Sequence, residues 1–485
     1  MRVAIVHYHL RAGGVTRVIQ HSAQVLQERS VDVVVLSGAA PDGNWPCPVG
    51  VVEGADYMSR GKVAARAAML LAERMKRTAT KALGRSPDIW HIHNHALGKN
   101  PALTMAVCQL AAEGHRILLQ MHDFAEDGRP ALYHRMLHGM VKGDIDLLGA
   151  MAYPQAPHVH YAALNQRDAR FLQSAGARKD FIHLLPNPVT LPADNNLSNA
   201  VKWKGKRRFL YPTRALRRKN IGEALLWSIL GKPNDSFALT LAPTSKTDRI
   251  VYEAWKRYAR RWRLPILFEI GMVSNASLRC WMRASNAIIT TSVTEGFGLA
   301  FLEPWLAGRP VVGRDLPEIT QEFSEAGVRW PSLYNRLEVP LTWIGSGKFR
   351  RTLYRGLKQS YGAYGRSLTS NDFERAYDTA VCGNDIDFGR LNESLQLAVM
   401  EQIRNSPRLR RRIKPMNLDS GLKDSDVVYN TEAVGKAYNL KHYGTRLMAV
   451  YGRLLASGAG PISCLSAGRL LDRFLAPERF CLLRT

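Results

Sequence analysis

Short apolar runs separated by amphipathic stretches dominate the first 190 positions. Residues 2–6 form one run. Val31-Asp-Val-Val-Val-Leu, Ile89-Trp-His-Ile-His, Ile117-Leu-Leu-Gln-Met-His and His158-Val-His-Tyr-Ala-Ala-Leu-Asn form the next four. Between them the spacing turns helical, as in Val18, Ile19, Ala23, Val25 and Leu26 after the Gly13-Gly14 pair. Runs too uniformly apolar to alternate are strands buried on both faces, so the pattern predicts a parallel sheet covered by helices. The pattern pauses at Pro186-Asn-Pro-Val and at the polar stretch beginning Pro192-Ala-Asp-Asn, which has the turn chemistry of a connection between domains.

A second set follows. Phe209-Leu-Tyr-Pro, Phe237-Ala-Leu-Thr-Leu, Ile266-Leu-Phe-Glu, Ala287-Ile-Ile-Thr-Thr-Ser and Pro310-Val-Val-Gly fit buried strands, with helices expected over 221–230, 248–261, 276–284 and 299–307. The fold class is therefore α/β, with two Rossmann-like halves binding ligands at the carboxyl ends of their strands, in a cleft. The expected domains are 1–195, 196–430 with an irregular insertion near 330–395, and 431–485. In the last segment a helical periodicity runs from Thr431 to Leu455 and returns to the first domain, followed by a basic tail.

Composition narrows this picture. At 485 residues, 46% apolar and 22% charged, the chain is globular and too long for one core. No stretch approaches the roughly 18 uncharged apolar residues of a membrane span, and the opening residues read as a strand rather than a signal peptide, so a cytoplasmic location is expected. Six cysteines without a C-x-x-C pair point to reduced, structural thiols and away from zinc. The net charge of +26 attracts polyanions: a peripheral contact with an acidic membrane face fits it, and so does a solvated basic surface without a partner.

The stretch Thr291-Ser-Val-Thr-Glu-Gly-Phe-Gly-Leu-Ala-Phe-Leu-Glu303 carries the most chemistry, because it places a strand, a glycine loop and a helix start in succession. Gly296 and Gly298 let the backbone approach a ligand, and free amides near Leu299 receive phosphate oxygens along the helix dipole. Glu295 and Glu303 supply carboxylates for hydroxyls. In these features the chain resembles the retaining GT-B glycosyltransferases of the group 1 family, whose signature is two glutamates with seven residues between them around a Gly-Phe-Gly-Leu-like core.

The resemblance implies a donor site. Glu295 would bind hydroxyls of the transferred sugar, the amides of Gly296, Phe297, Gly298 and Leu299 would hold the diphosphate, and Glu303 would bind the ribose. Tyr211-Pro-Thr-Arg-Ala-Leu-Arg-Arg-Lys sits where the family uses an Arg and a Lys five or six apart to neutralise the diphosphate. Arg214 and Lys219 match, with Arg217 and Arg218 as alternatives. In the first domain, the loop His9-Leu-Arg-Ala-Gly13-Gly14 resembles the family's glycine-rich loop, and His122 the family's cleft histidine beside the anomeric carbon, with a satisfied core histidine as the alternative. His9 and Arg129 are acceptor-side candidates.

One departure stands out. Where relatives carry two glycines before Pro-Glu-Ile, this chain has Arg314-Asp-Leu, a bulkier loop and a candidate contact for a different acceptor or phosphate. Asp144-Ile-Asp and Asp385-Ile-Asp mimic a metal motif of the other major glycosyltransferase fold, and both read as incidental. The implied reaction moves a hexose from a nucleoside-diphosphate sugar to an acceptor hydroxyl, with retention, without a metal or other cofactor and without nucleic acid as partner. Three other readings stay open: a sugar-nucleotide epimerase, a glycosyl phosphorylase, and a non-enzymatic binder of membrane or nucleic acid.

Overall fold

The computed structural model describes residues 1–58, 65–191, 203–273, 276–413 and 423–484. The polar stretch from Pro192, read as a domain connection, lies outside the described residues. The chain divides into two compact units, Met1–Pro188 with Tyr438–Leu475, and Val189–Ala437 with Ala476–Thr485.

The first unit is built on strands β1 (Arg2–Val6), β2 (Asp32–Ser37), β3 (Val49–Val51), β4 (Ile89–His93), β5 (Ile117–Met121), β6 (Pro154–Gln155), β7 (Val159–Ala163) and β8 (Ile182–Leu184). Seven of them form one sheet in the order β3-β2-β1-β4-β5-β7-β8. All its pairings are parallel; Ile5, for example, lies between Val35 and His91. Every residue of β1, β4, β5 and β7 is buried, as the unbroken apolar runs require.

Late residues complete this unit. The helix Leu440–Ala456 buries Tyr443, Leu447, Val450, Tyr451 and Leu454 in the same core as Val3, Ile5 and Ile19. The Tyr443 hydroxyl meets Ser22 Oγ at 2.7 Å, and Gly444 leaves the space that the Arg29 guanidinium fills. Ser463–Cys464 pairs antiparallel with β6.

The second unit repeats the plan with β9 (Arg207–Arg214), β10 (Asp235–Leu241), β11 (Ile266–Leu267), β12 (Ala287–Thr290), β13 (Val311–Arg314) and β14 (Leu333–Tyr334). Their order is β11-β10-β9-β12-β13-β14, all parallel. In both sheets the strand order reverses beside the first strand, between β1 and β4 and between β9 and β12. That reversal is where doubly wound sheets open a crevice for ligands.

Two expectations change. The stretch 330–395 is more regular than its sequence suggests: it holds helices Ser346–Gly362 and Ser370–Ala380 and a small antiparallel sheet of β15 (Glu338–Pro340), β16 (Val381–Cys382) and β17 (Asp385–Asp387). The buried line of the longer helix runs Phe349, Leu353, Gly356, Leu357 and Tyr361. Gly356 interrupts it because a Cβ there would come within 2.6 Å of Leu482. The periodic run from Thr431 is likewise two helices, Asp424–Ala437 and Leu440–Ala456, the second capped by Asn439, whose side chain accepts from the His442 amide at 2.7 Å. Only the second packs in the first unit. Among the described residues no helix is long and apolar enough to cross a membrane.

Candidate functional site

In the second unit the candidate chemistry gathers at the carboxyl ends of β9 and β12. A single-turn 3₁₀ helix, Arg217–Lys219, follows β9 and stops at Asn220, a non-glycine residue at φ 51°. That turn is held against the β12 end from two sides. The Tyr211 hydroxyl donates to the Lys219 carbonyl at 2.9 Å, and Thr291 Oγ1 donates to the carbonyls of Lys219 and Asn220 at 3.0 Å each. The Val293 amide donates to the Arg218 carbonyl at 2.9 Å.

This scaffold puts the Lys219 ammonium directly on Glu295 Oε1. Burial alone would push the Glu295 carboxyl up, but Lys219 and Arg218, with a hydrogen bond from Ser292, outweigh it and hold the carboxyl below its ordinary value. Glu295 is thus a buried carboxylate, 9% exposed, that stays charged. Arg214 ends β9 exposed to solvent, and among the described residues its guanidinium has no hydrogen-bond or ion-pair partner. Arg217 is different: it forms a two-pronged pair with Glu393 at 2.6 and 2.9 Å and also reaches the Leu482 carbonyl. Its charge is used within the fold, which leaves Arg218 as the alternative to Lys219.

The glycine loop ends in a helix start as its sequence requires. Gly298 caps the helix Leu299–Leu306 at φ 92°, and a Cβ there would come within 2.8 Å of Ile319. Gly298 brings no capping side chain to this terminus, where the first helix amides face outward from the ladder. Phe297 is buried edge-on against Phe323, and Glu303 is half-buried within the helix.

Arg314, the first residue of the loop singled out as a candidate ligand contact, points into the protein. It is buried, chelated by Glu223 and Asp387 at 2.7–3.2 Å and stacked on Tyr334. Burial pushes Glu223 up and leaves Asp387 to the guanidinium, which holds it low. Asp387 therefore serves as a counter-ion, and Asp144 caps the helix Ile145–Ala152. Among the described residues no group of three or more His, Cys, Asp or Glu could hold a metal.

In the first unit the helix Gly14–Gln27 starts after Gly13, whose backbone is extended, and nothing crowds either glycine. The glycines therefore leave open backbone rather than relieve strain. At the ends of β4 and β5 lies a cluster of imidazoles. His91 and His93 stack at 4.4 Å, and His93 Nδ1 meets His122 Nε2 at 2.8 Å. His91 is held by the Tyr451 hydroxyl and Gln120 Oε1, each at 2.8 Å. Asn94, at φ 55°, accepts from the amides of His122 and Asp123. Burial lowers His7 and His91 to about 4 and His122 to about 3, so the cluster is neutral near pH 7.

Arg129 is pinned to its own loop by Asp123 at 2.5 Å and by the carbonyls of Phe124 and Asp127. Glu126 of that loop turns inward to the Tyr153 hydroxyl, and burial raises it to about 7. His9 packs edge-on against Tyr57 at 4.5 Å. Sequence reading missed Tyr57, Lys99 and Arg135 near His9 and Arg129, because no motif marks them. It quoted Tyr211 without a role.

No family model matches the chain. A curated relative, mannosylglucosyl-3-phosphoglycerate synthase of Petrotoga mobilis, is 27% identical over 271 residues, covering 52% of this chain and 51% of that protein. The chain thus spans about half the length of the curated relative it matches. Among solved structures, sucrose-phosphate synthase of Thermosynechococcus elongatus covers 94% of this chain and 99% of its own at 13% identity and a TM-score of 0.53. Anabaena HepE in complex with UDP and glucose covers 93% of this chain and 99% of its own at 14% identity and a TM-score of 0.53. With two parallel doubly wound sheets and these structural likenesses, the chain has the GT-B fold.

Proposed function

We propose that this chain is a nucleotide-sugar-dependent glycosyltransferase that moves a hexose from a nucleoside diphosphate to an acceptor hydroxyl with retention at the anomeric carbon. One observation carries the reading: a charged Glu295, buried against Lys219, immediately precedes a helix terminus whose N-cap is Gly298 and brings no capping side chain. A carboxylate kept ionised out of water is a strong acceptor for sugar hydroxyls. The neighbouring amides and cations suit a diphosphate.

In this reading Arg214, Lys219 and the amides from Gly296 to Leu299 stabilise charge growing on the departing diphosphate, each well-placed donor contributing about 3–4 kcal/mol by analogy with oxyanion sites. Glu303 binds the ribose. His122, neutral and hydrogen-bonded, lines the sugar without transferring a proton, and the leaving phosphate takes the proton of the acceptor hydroxyl. Neither metal nor other cofactor takes part. The curated relative's name, which joins a mannosylglucosyl group to phosphoglycerate, and the UDP and glucose of the HepE complex agree with this substrate class.

The test is a thermal-shift screen with UDP-, GDP- and ADP-sugars. At least one raises the melting temperature, and Glu303→Ala weakens that response; silence toward every sugar nucleotide overturns the proposal. The anomeric configuration of the product, read from its NMR coupling, decides retention.

A further inference from the structure

Around Tyr57 the first unit collects more positive charge than it neutralises. The ring follows β3 and is wedged edge-on against Tyr8 at 5.3 Å and His9 at 4.5 Å, at the end of β1. The Lys99 ammonium lies 4.9 Å from the ring centroid. Arg135, on the helix Pro130–Gly139, reaches the same turn: its Nη1 donates to the Met58 carbonyl at 3.1 Å and to the Lys99 carbonyl at 3.5 Å. Arg11 and Arg129 flank this pair.

The flanking arginines have their own counter-ions. Arg11 pairs with Asp56 and Arg129 with Asp123, each at 2.5 Å. Lys99 and Arg135 have none: among the described residues no carboxylate oxygen comes within ion-pair distance of either. Asp123 attracts Lys99 from farther off, but it is already engaged by Arg129. Burial pushes the Lys99 ammonium down, and Arg129 and Arg135 push it further. An ammonium half out of water beside two guanidiniums is unfavourable unless an anion joins them.

Placement adds a second, independent argument. Arg11, Tyr57, Lys99 and Arg129 lie on the segments that follow β1, β3, β4 and β5, the carboxyl ends of strands in one parallel sheet, where α/β sheets bind ligands. Exposed arginines such as Arg411 and Arg412 lie on a solvated helix end and have no such setting.

We propose that Lys99 and Arg135 form an anion-binding site over the Tyr57 ring, which takes the phosphate or carboxylate group of a negatively charged acceptor. The role as acceptor rests on the transferase reading, whereas the anion site itself does not. Lys99 supplies a point charge, Arg135 a planar fork, and the ring a floor that fixes the ammonium.

Calorimetric titration of the full chain with glucose 6-phosphate, glucuronate, inorganic phosphate and glucose tests this. A phosphate-ester or carboxylate probe binds more tightly than glucose, and added salt weakens it. Tighter binding of glucose 6-phosphate than of inorganic phosphate marks the ester as the natural form, and preference for glucuronate marks the carboxylate. Lys99→Met, which keeps the aliphatic stem over the ring, weakens that binding about tenfold or more without lowering the melting temperature, and Arg135→Gln weakens it likewise. Arg411→Gln, on the solvated basic helix end, leaves it unchanged. The proposal is overturned if all four probes bind alike, or if Lys219→Met abolishes anion binding while Lys99→Met spares it. Anion binding that depends on Lys99, in a chain silent to every sugar nucleotide, keeps the site and removes the transferase reading.

Discussion

The two units bury polar groups in opposite ways. In the first, the histidines buried at the strand ends, His7, His91, His93 and His122, are kept neutral by burial, and the charges of Arg11, Lys99 and Arg129 sit on the segments beyond them. In the second, the equivalent positions hold full charges already matched inside the protein, Lys219 with Glu295 and Arg314 with Glu223 and Asp387. Neutral buried rings cost little to leave without a counter-ion. A matched pair is rigid, and it fails badly when one member is removed.

The largest way to break this contrast is Arg314→Met. It strands two carboxylates whose side chains are 0% and 5% exposed, and it lowers unfolding stability by about 3–5 kcal/mol. Chemical denaturation gives the size of the loss, and hydrogen exchange locates it in β13, β14 and β17 while β1 and β4 stay protected. Equal loss of protection in both units would show that the network is not local to the second.

Lys219→Met comes next. On the transferase reading it lowers turnover roughly 100- to 1,000-fold by removing a cation from the leaving diphosphate. It also releases Glu295 from the ammonium that holds its carboxyl low, so the pH at which Glu295 ionises rises. A turnover profile unchanged in height and in pH would remove Lys219 from the site.

A third break comes in acid. Folded His7 and His91 titrate near 4, against an ordinary value of 6.5. Below about 6.5 the unfolded chain therefore takes up protons that the folded chain refuses, and stability falls as the pH drops toward 4. Glu295 and Asp387 are held below their ordinary values, so their contribution is lost only at lower pH. Hydrogen exchange between pH 6.5 and 4 then loosens β1, β4 and β5 before β9 and β12; simultaneous loosening contradicts the assignment.

Much of this architecture is legible in the sequence. Strands such as β4 and β12 are continuous apolar runs closed by turn residues, and the helix Ile221–Leu230 has the bounds its spacing predicts. Gly298 is legible for the same local reason: its conformation is set by its neighbours along the chain. What escapes depends on contacts distant in sequence. Arg314 looks like a loop cation until Glu223, 91 positions away, and Asp387, 73 positions away, close around it. Nothing in the sequence marks the need for Gly356, because Leu482, which takes the space beside it, is far along the chain. Lys99 and Arg135 belong to no motif, and only the fold brings them to one ring.

The closing pieces of each unit also set an order of events during synthesis. Ser22 waits for Tyr443, 421 residues later, and His91 waits for Tyr451, 360 residues later. The second unit is made between those partners and still needs the Phe480 carbonyl for Arg390 and Leu482 for the gap at Gly356. Neither unit can therefore finish as its own ribosomal product. The nascent first unit spends most of translation without the helix Leu440–Ala456 that completes the core of Val3, Ile5 and Ile19, in a state where aggregation competes with folding.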